Sequence, residues 1–134
     1  ITRRSIVLIV CCGEALIDML PRTLSTGEAV YLPVPGGAVF NTAIALGRLG
    51  ETAGFFSSLS TDLFGEQLLA ALNESGVSAQ LCVRSPRPST LAFVKLTNGN
   101  AEYFNLFDNL VEKAAQIERP SKIFGGGPVR WLTN

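Results

Sequence analysis

The stretch from Gly36 to Gly50, GGAVFNTAIALGRLG, constrains the fold of this chain more than any other. Two glycines follow Pro33 and Pro35, an asparagine opens an apolar run, and a glycine closes it. Asparagine is a favoured N-cap, because its side-chain oxygen can accept from an orphan N–H of the first turn. The spacing therefore predicts a helix opened by Asn41, with Gly50 in the left-handed position just past its end. Ala43, Ile44, Ala45, Leu46 and Leu49 cover more than a narrow stripe, so the helix should be buried on most sides. Gly47 costs about 1 kcal/mol against alanine, a cost that close packing against a neighbour would offset. Gly36 and Gly37 stand where the chain enters the helix. They read either as a plain Gly-rich turn or as backbone N–H groups bared to a polar or anionic ligand at a helix N-terminus.

The surrounding segments read as α/β. Ile6 to Cys12 is a continuous apolar run rich in β-branched residues, which predicts a central parallel strand covered on both faces and ended by Gly13. Asp18 lies within the otherwise apolar patch Ala15 to Leu20. It is either a cap or turn residue, or a carboxylate aimed into a site. Residues 21–35 read as irregular or extended, with Tyr31-Leu32 a candidate short strand. Ala53 to Leu59 gives a second core strand. Asp62 or Thr61 then caps a helix from Leu63 to Ser75, in which Phe64, Leu68 and Leu72 share a face and Gly76 is the stop. Val77, Ala79, Leu81 and Val83 alternate as a third strand near an edge. This β-α-β-α-β order predicts a parallel sheet with right-handed crossovers. Beyond it, Leu91 to Leu96 and Ala101 to Phe107 flank Asn98-Gly99, a strong hairpin signal. In the tail, 110–134, Val111 to Glu118 reads as a short amphipathic helix ended by Pro120, and Ile123-Phe124 as the start of a strand. Gly125-Gly126-Gly127-Pro128 is a loop without the Gly-Lys-Ser/Thr of a phosphate-binding P-loop.

Composition narrows the function classes. Hydrophobic residues make up 47% of the 134 and charged residues 16%, which suits a buried α/β sheet and argues against disorder. Eleven basic and eleven acidic residues cancel, so nucleic acid is not an expected partner. The absence of histidine rules out Ser-His-Asp and Cys-His catalysis and His-ligated metal within these residues. Cys11, Cys12 and Cys82 have no zinc or C-x-x-C spacing and read as reduced thiols of a cytoplasmic protein. Arg3-Arg4 and the apolar run after it are too short for a signal peptide, and no window reaches the ~18 apolar residues of a membrane span. The chain starts at Ile1 rather than Met and reads as trimmed or partial.

Gly36-Gly37, Asn41, Ala43, Gly47, Leu49 and Gly50 resemble the first signature of the PfkB (ribokinase-like) carbohydrate kinases. Cys12-Gly13-Glu14-Ala15-Leu16-Ile17-Asp18 resembles the segment that opens those proteins. Ser60-Thr61-Asp62-Leu63-Phe64-Gly65 and Ser89-Thr90-Leu91-Ala92-Phe93-Val94 follow in the family's order. The likeness runs from residue 6 to about 109, is greatest to bacterial fructokinases, and departs from the signature at Val39, where members often carry a small residue or proline. It implies a three-layer α/β/α sandwich with a mainly parallel sheet and a small β-lid, the whole of 1–134 being the N-terminal part of one kinase domain. The lid would use segments of about 15–35 and 90–108. Phe93, Tyr103, Phe104 and Phe107 then either pack within a sheet or face substrate or a second subunit, as in a homodimer formed through the lid.

The same resemblance implies Asp18, Gly36, Gly37, Asn41 and Phe107 as sugar-binding residues, fructose as the leading substrate, and ATP and Mg²⁺ as cofactors held mostly by residues outside this stretch. A carboxylate can accept from two neighbouring hydroxyls and an amide can both donate and accept. The family's later Gly-Ala-Gly-Asp, which supplies its general base and anion hole, does not occur among these residues. No catalytic residue is therefore assigned, and the 134 residues alone are expected to be inactive. The alternative is a non-catalytic sugar-binding module or pseudo-enzyme of the same fold. A dinucleotide-binding domain fits poorly, because Gly13-Glu14-Ala15-Leu16-Ile17-Asp18 is not G-x-G-x-x-G.

Overall fold

The apolar run near the N-terminus becomes the middle strand of a parallel sheet. A computed structural model describes residues 7–98, 100–106 and 129–133 of the chain. Its elements in order are β1 (Leu8–Cys12), β2 (Leu16–Thr23), β3 (Ala29–Gly36), α1 (Ala38–Arg48), β4 (Ala53–Phe56), β5 (Ser58–Ser60), α2 (Leu63–Glu74), β6 (Val83–Ser85), β7 (Leu91–Thr97), β8 (Asn100–Leu106) and β9 (Val129–Thr133). β1 pairs in parallel with β4 on one side and β9 on the other. β5 and β6 form a second parallel pair. The third sheet, in the order β3-β2-β7-β8, is mixed: β2 and β7 run parallel, and the outer pairs are antiparallel hairpins.

The core lies between the helices and the parallel strands. Cys11, Ala43, Phe55 and Leu72 are fully buried, and Phe40 of α1 meets Phe55 of β4 edge-to-face, with centroids 5.5 Å apart. α2 begins where its sequence predicts, at an Asp62 cap that accepts from the Gly65 N–H, and its Leu68 and Leu72 are buried. Gly47 sits so close to the carbonyl of Ser75 that a Cβ there would collide with it. Gly50, at φ 84°, and Gly76, at φ 73°, end the two helices in the left-handed region. Asn98 opens the β7–β8 turn at φ 52°, a conformation asparagine tolerates.

Several expectations are corrected. α1 begins three residues before Asn41, with Gly37 as its N-cap. A φ of 110° and ψ of 137° are open to glycine, so the backbone turns into the helix there and Asn41 lies inside the first turn. α1 is also less buried than its composition suggests: it covers the sheet with Val39, Phe40 and Ala43, while Leu49 is 78% exposed. Residues 21–35 are not irregular but complete the β2–β3 hairpin, and Asp18 lies within β2 rather than in a turn or cap. The apolar run 53–59 is broken at Ser57, where the chain leaves β1 and joins β6. The expected strand over 77–83 reduces to a bridge between Ser78 and Gly54, because the Cys82 N–H donates to the Ala79 carbonyl and turns the chain before β6. β9 was not expected. The helix at 111–118, the strand start at Ile123-Phe124 and the loop at 125–128 lie outside the described residues.

Candidate functional site

The β2–β3 register sets Leu16 opposite Gly36 and Asp18 opposite Val34, on one face of the sheet. That brings the Asp18 carboxylate against the backbone of Gly36, where a Cβ would collide with its Oδ2. Only glycine leaves the carboxylate its place. The next residue, Gly37, passes close over the β1–β2 connection, and a Cβ there would lie 2.8 Å from the Glu14 carbonyl oxygen. α1 then starts with no side-chain cap and no acidic residue in its first turn. Its leading N–H groups therefore keep the partial positive charge of a helix N-terminus. The first helical hydrogen bond runs from the Asn41 N–H to the Gly37 carbonyl, at 2.9 Å, and the Asn41 residue is exposed.

Two aspartates show how differently this chain treats a carboxylate. Asp18 shares its sheet face with Leu16, Leu20, Val34 and Ala92. Burial pushes its pKa up from the ordinary 3.8, and among the described residues no hydrogen bond or ion pair is recorded to the carboxylate. Burial also opposes the charge of Asp62, yet the N–H groups of Ser89 and Gly65 and the hydroxyls of Ser89 and Ser60 outweigh it and hold that pKa at about 2. Asp62 is thus satisfied internally, whereas Asp18 retains its accepting capacity for something else. A half-buried acid without an internal partner is the kind of perturbed group that marks binding sites.

Of the residues singled out in the sequence, Asp18, Gly36 and Gly37 come together at the head of α1, Asn41 sits one turn further on, and Phe107 lies outside the described residues. No group of His, Cys, Asp or Glu that could hold a metal ion occurs among the described residues, and no described helix is long and apolar enough to cross a membrane. A cavity of about 200 Å³ lies nearby, lined among others by Glu14, Ser57, Ser60, Arg87 and Ser89. Its lining includes none of Asp18, Gly36, Gly37 and Asn41, so we place the candidate site at the Asp18 carboxylate, which has no partner among the described residues, rather than at the cavity. What the sequence reading missed is Glu14, whose carbonyl closes the floor under Gly37. Its place directly after the glycine that ends β1 was the available signal.

Residues 7–125 match the pfkB family carbohydrate kinase. A fructokinase of Rhizobium leguminosarum bv. trifolii is 57% identical over 96 residues, which cover 72% of this chain and 29% of that protein. The structure of a fructokinase from Xylella fastidiosa with bound ATP superposes with a TM-score of 0.67 at 38% identity, covering 73% of this chain and 32% of that one. A Vibrio cholerae O395 fructokinase, solved in fructose, ADP and calcium ion bound form, gives a TM-score of 0.63 at 26% identity, covering 75% and 33%. The chain spans about a third of the length of these relatives.

Proposed function

The chain belongs to the pfkB family of carbohydrate kinases, with a mainly parallel α/β fold of the ribokinase-like type, and we propose that it is the sugar-binding portion of an ATP-dependent fructokinase. The observation that carries this reading is the Asp18 carboxylate, held against Gly36 at the uncapped head of α1 with no internal partner among the described residues. In the proposed role, Asp18 accepts from two neighbouring sugar hydroxyls, the Gly37 N–H donates to a sugar oxygen, and the Asn41 amide both donates and accepts. Gly36 keeps the space that Asp18 occupies. Phe107 joins them on the strength of the family likeness alone.

The four-stranded sheet β3-β2-β7-β8 takes the part of a lid in this reading. Its support is the exposure of Tyr103 and Phe104, at 64% and 53%, which leaves apolar surface for a sugar or a second copy to cover. A homodimer through this sheet and a cytoplasmic location complete the proposal. ATP and Mg²⁺ belong to the reaction of the whole enzyme. The described residues hold no carboxylate group suited to the cation, so none is assigned to nucleotide or metal. This portion binds and orients the sugar; holding a reacting hydroxyl in line is a substantial part of phosphoryl-transfer catalysis.

Titration calorimetry of the chain with fructose tests the reading. Binding should occur, and Asp18→Ala should weaken it about 10- to 100-fold, the worth of one hydrogen-bonded charged partner. Unchanged affinity in that variant would refute the role of Asp18. In a coupled assay with ATP, Mg²⁺ and fructose, the chain alone should show no turnover, since a positioned base contributes about 10²–10⁴-fold. Fructose-dependent ADP formation that follows the 134-residue species through gel filtration would contradict this.

A further inference from the structure

Three described connections join the four-stranded sheet to the rest of the molecule. The chain leaves β1 for β2 at Gly13, returns from β3 to α1 at Gly36-Gly37, and crosses from β6 to β7 over Pro86 to Thr90. The first two turn on glycine. The third carries two prolines and is tied down by Asp62. One carboxylate oxygen of Asp62, Oδ1, accepts from the Gly65 N–H and from the Ser89 hydroxyl, each at 2.7 Å. The other, Oδ2, accepts from the Ser89 N–H at 2.7 Å. Ser89 is buried. The carbonyl of the next residue, Thr90, accepts from the Ile17 N–H at 2.9 Å, after which Leu91, Ala92 and Phe93 pair with Ile17, Asp18 and Met19.

Capping α2 takes one oxygen, and a serine or asparagine would serve as well. Here the N–H groups of Gly65 and Ser89 meet different oxygens of the one carboxylate; serine has a single side-chain oxygen, and the second head atom of asparagine is a donor. We infer that Asp62 is a positioning residue: by clamping Ser89 to the start of α2 it fixes Thr90 and the head of β7, and through them the segment of β2 that holds Asp18 against Gly36. The low pKa of Asp62 agrees with the clamp. The consequence for sugar affinity rests on the function proposed above; the clamp itself does not.

The variant Asp62→Ser separates clamp from cap, since serine still caps α2 but offers Ser89 no second oxygen. Amide exchange in the 134-residue chain should show Gly65 as protected as in the parent and Phe55 of the parallel sheet unchanged, while Ser89 and Ile17 exchange about tenfold faster or more. Fructose affinity should fall about two- to thirtyfold with the Gly65 cap intact, which a mere capping role would not produce. An Ile17 amide exchanging at the parent rate in Asp62→Ser overturns the inference. Should that variant fail to fold, Asp62→Asn keeps one oxygen for Gly65 and turns a donor towards the Ser89 N–H, and unchanged Ile17 exchange there overturns it equally. If the parent chain does not bind fructose, the functional reading fails, and the Ile17 exchange rate still decides the clamp.

Discussion

The two large sheets of this molecule use apolar residues in opposite ways. In the parallel sheet and its helices, Val10, Cys11, Ala43, Phe55 and Leu72 are sealed from water. In the four-stranded sheet, Tyr31, Leu32, Tyr103 and Phe104 each stand about half exposed or more. Both regions are rich in hydrophobic residues, so residue type does not set burial here; the layer packed on the outer face does. α1 and α2 cover the parallel strands, and among the described residues nothing comparable covers the outer strands β3 and β8. The first sheet behaves as a core and the second as a surface awaiting a partner.

The largest expected effect tests that difference directly. Phe55→Ala should cost about 3–5 kcal/mol in urea unfolding, as for a fully buried aromatic, while Phe104→Ala should stay within about 0.5 kcal/mol. Comparable losses would mean that the Phe104 face is covered in solution, and concentration dependence of the Phe104 effect would identify a second copy as the cover. Gly37→Ala strikes the seam between the regions. It sets a Cβ at φ 110° and 2.8 Å from the Glu14 carbonyl, and should cost about 1–3 kcal/mol; a neutral result would mean that the seam can shift.

The two aspartates should respond to acid with opposite sign. Asp62, held down at about 2, contributes stability that is present above its ordinary pKa of 3.8 and is lost as pH falls through about 2. Asp62→Ala should therefore destabilise at neutral pH, by about 1 kcal/mol or a little more, and lose its disadvantage in strong acid. Asp18 has a raised pKa, so its charge disfavours the fold at neutral pH, and that cost is relieved as pH falls through the raised value. Asp18→Asn should raise the melting temperature at pH 7, with the gain fading towards low pH. Thermal unfolding of both variants from pH 2 to 7 checks the two signs together. The smallest effect concerns the edge-to-face pair of Tyr31 and Phe93, with centroids 5.1 Å apart: a double-mutant cycle should give about 0.5–1.5 kcal/mol.

The parallel strands were legible because burial on both faces demands uninterrupted apolar runs, as in Leu8 to Cys12. α2 was legible because Asp62, the spacing of Leu68 and Leu72, and Gly76 all point to the same element. The β2–β3 hairpin was hidden by its prolines, which ordinarily argue against strands. The register explains why they are tolerated. Pro33 and Pro35 lie on the edge strand β3, and Pro21 lies beyond Met19, where the pairing of β2 with β7 stops. The cap of α1 was placed four residues late because Asn41 is a good cap by type, whereas Gly37 caps by conformation, which its identity alone does not announce. For the candidate site, the sequence named Asp18, Gly36 and Gly37, but not the collision that makes Gly36 necessary for Asp18. That pairing arises from the register of β3 against β2, a tertiary fact.

The strand order also dictates a sequence of events in time. The hairpins β2–β3 and β7–β8 join residues near one another and can close early, and β4 reaches β1 once residue 56 has been made. The other edge of β1 is different, because its partner is β9, with Leu8 set beside Val129. Closing so long a loop is entropically slow. During synthesis this wholly apolar strand therefore waits with one row of N–H and C=O groups unpaired while nearly all the described chain is made. It is in that interval, rather than in the finished fold, that the protein most needs shielding from aggregation.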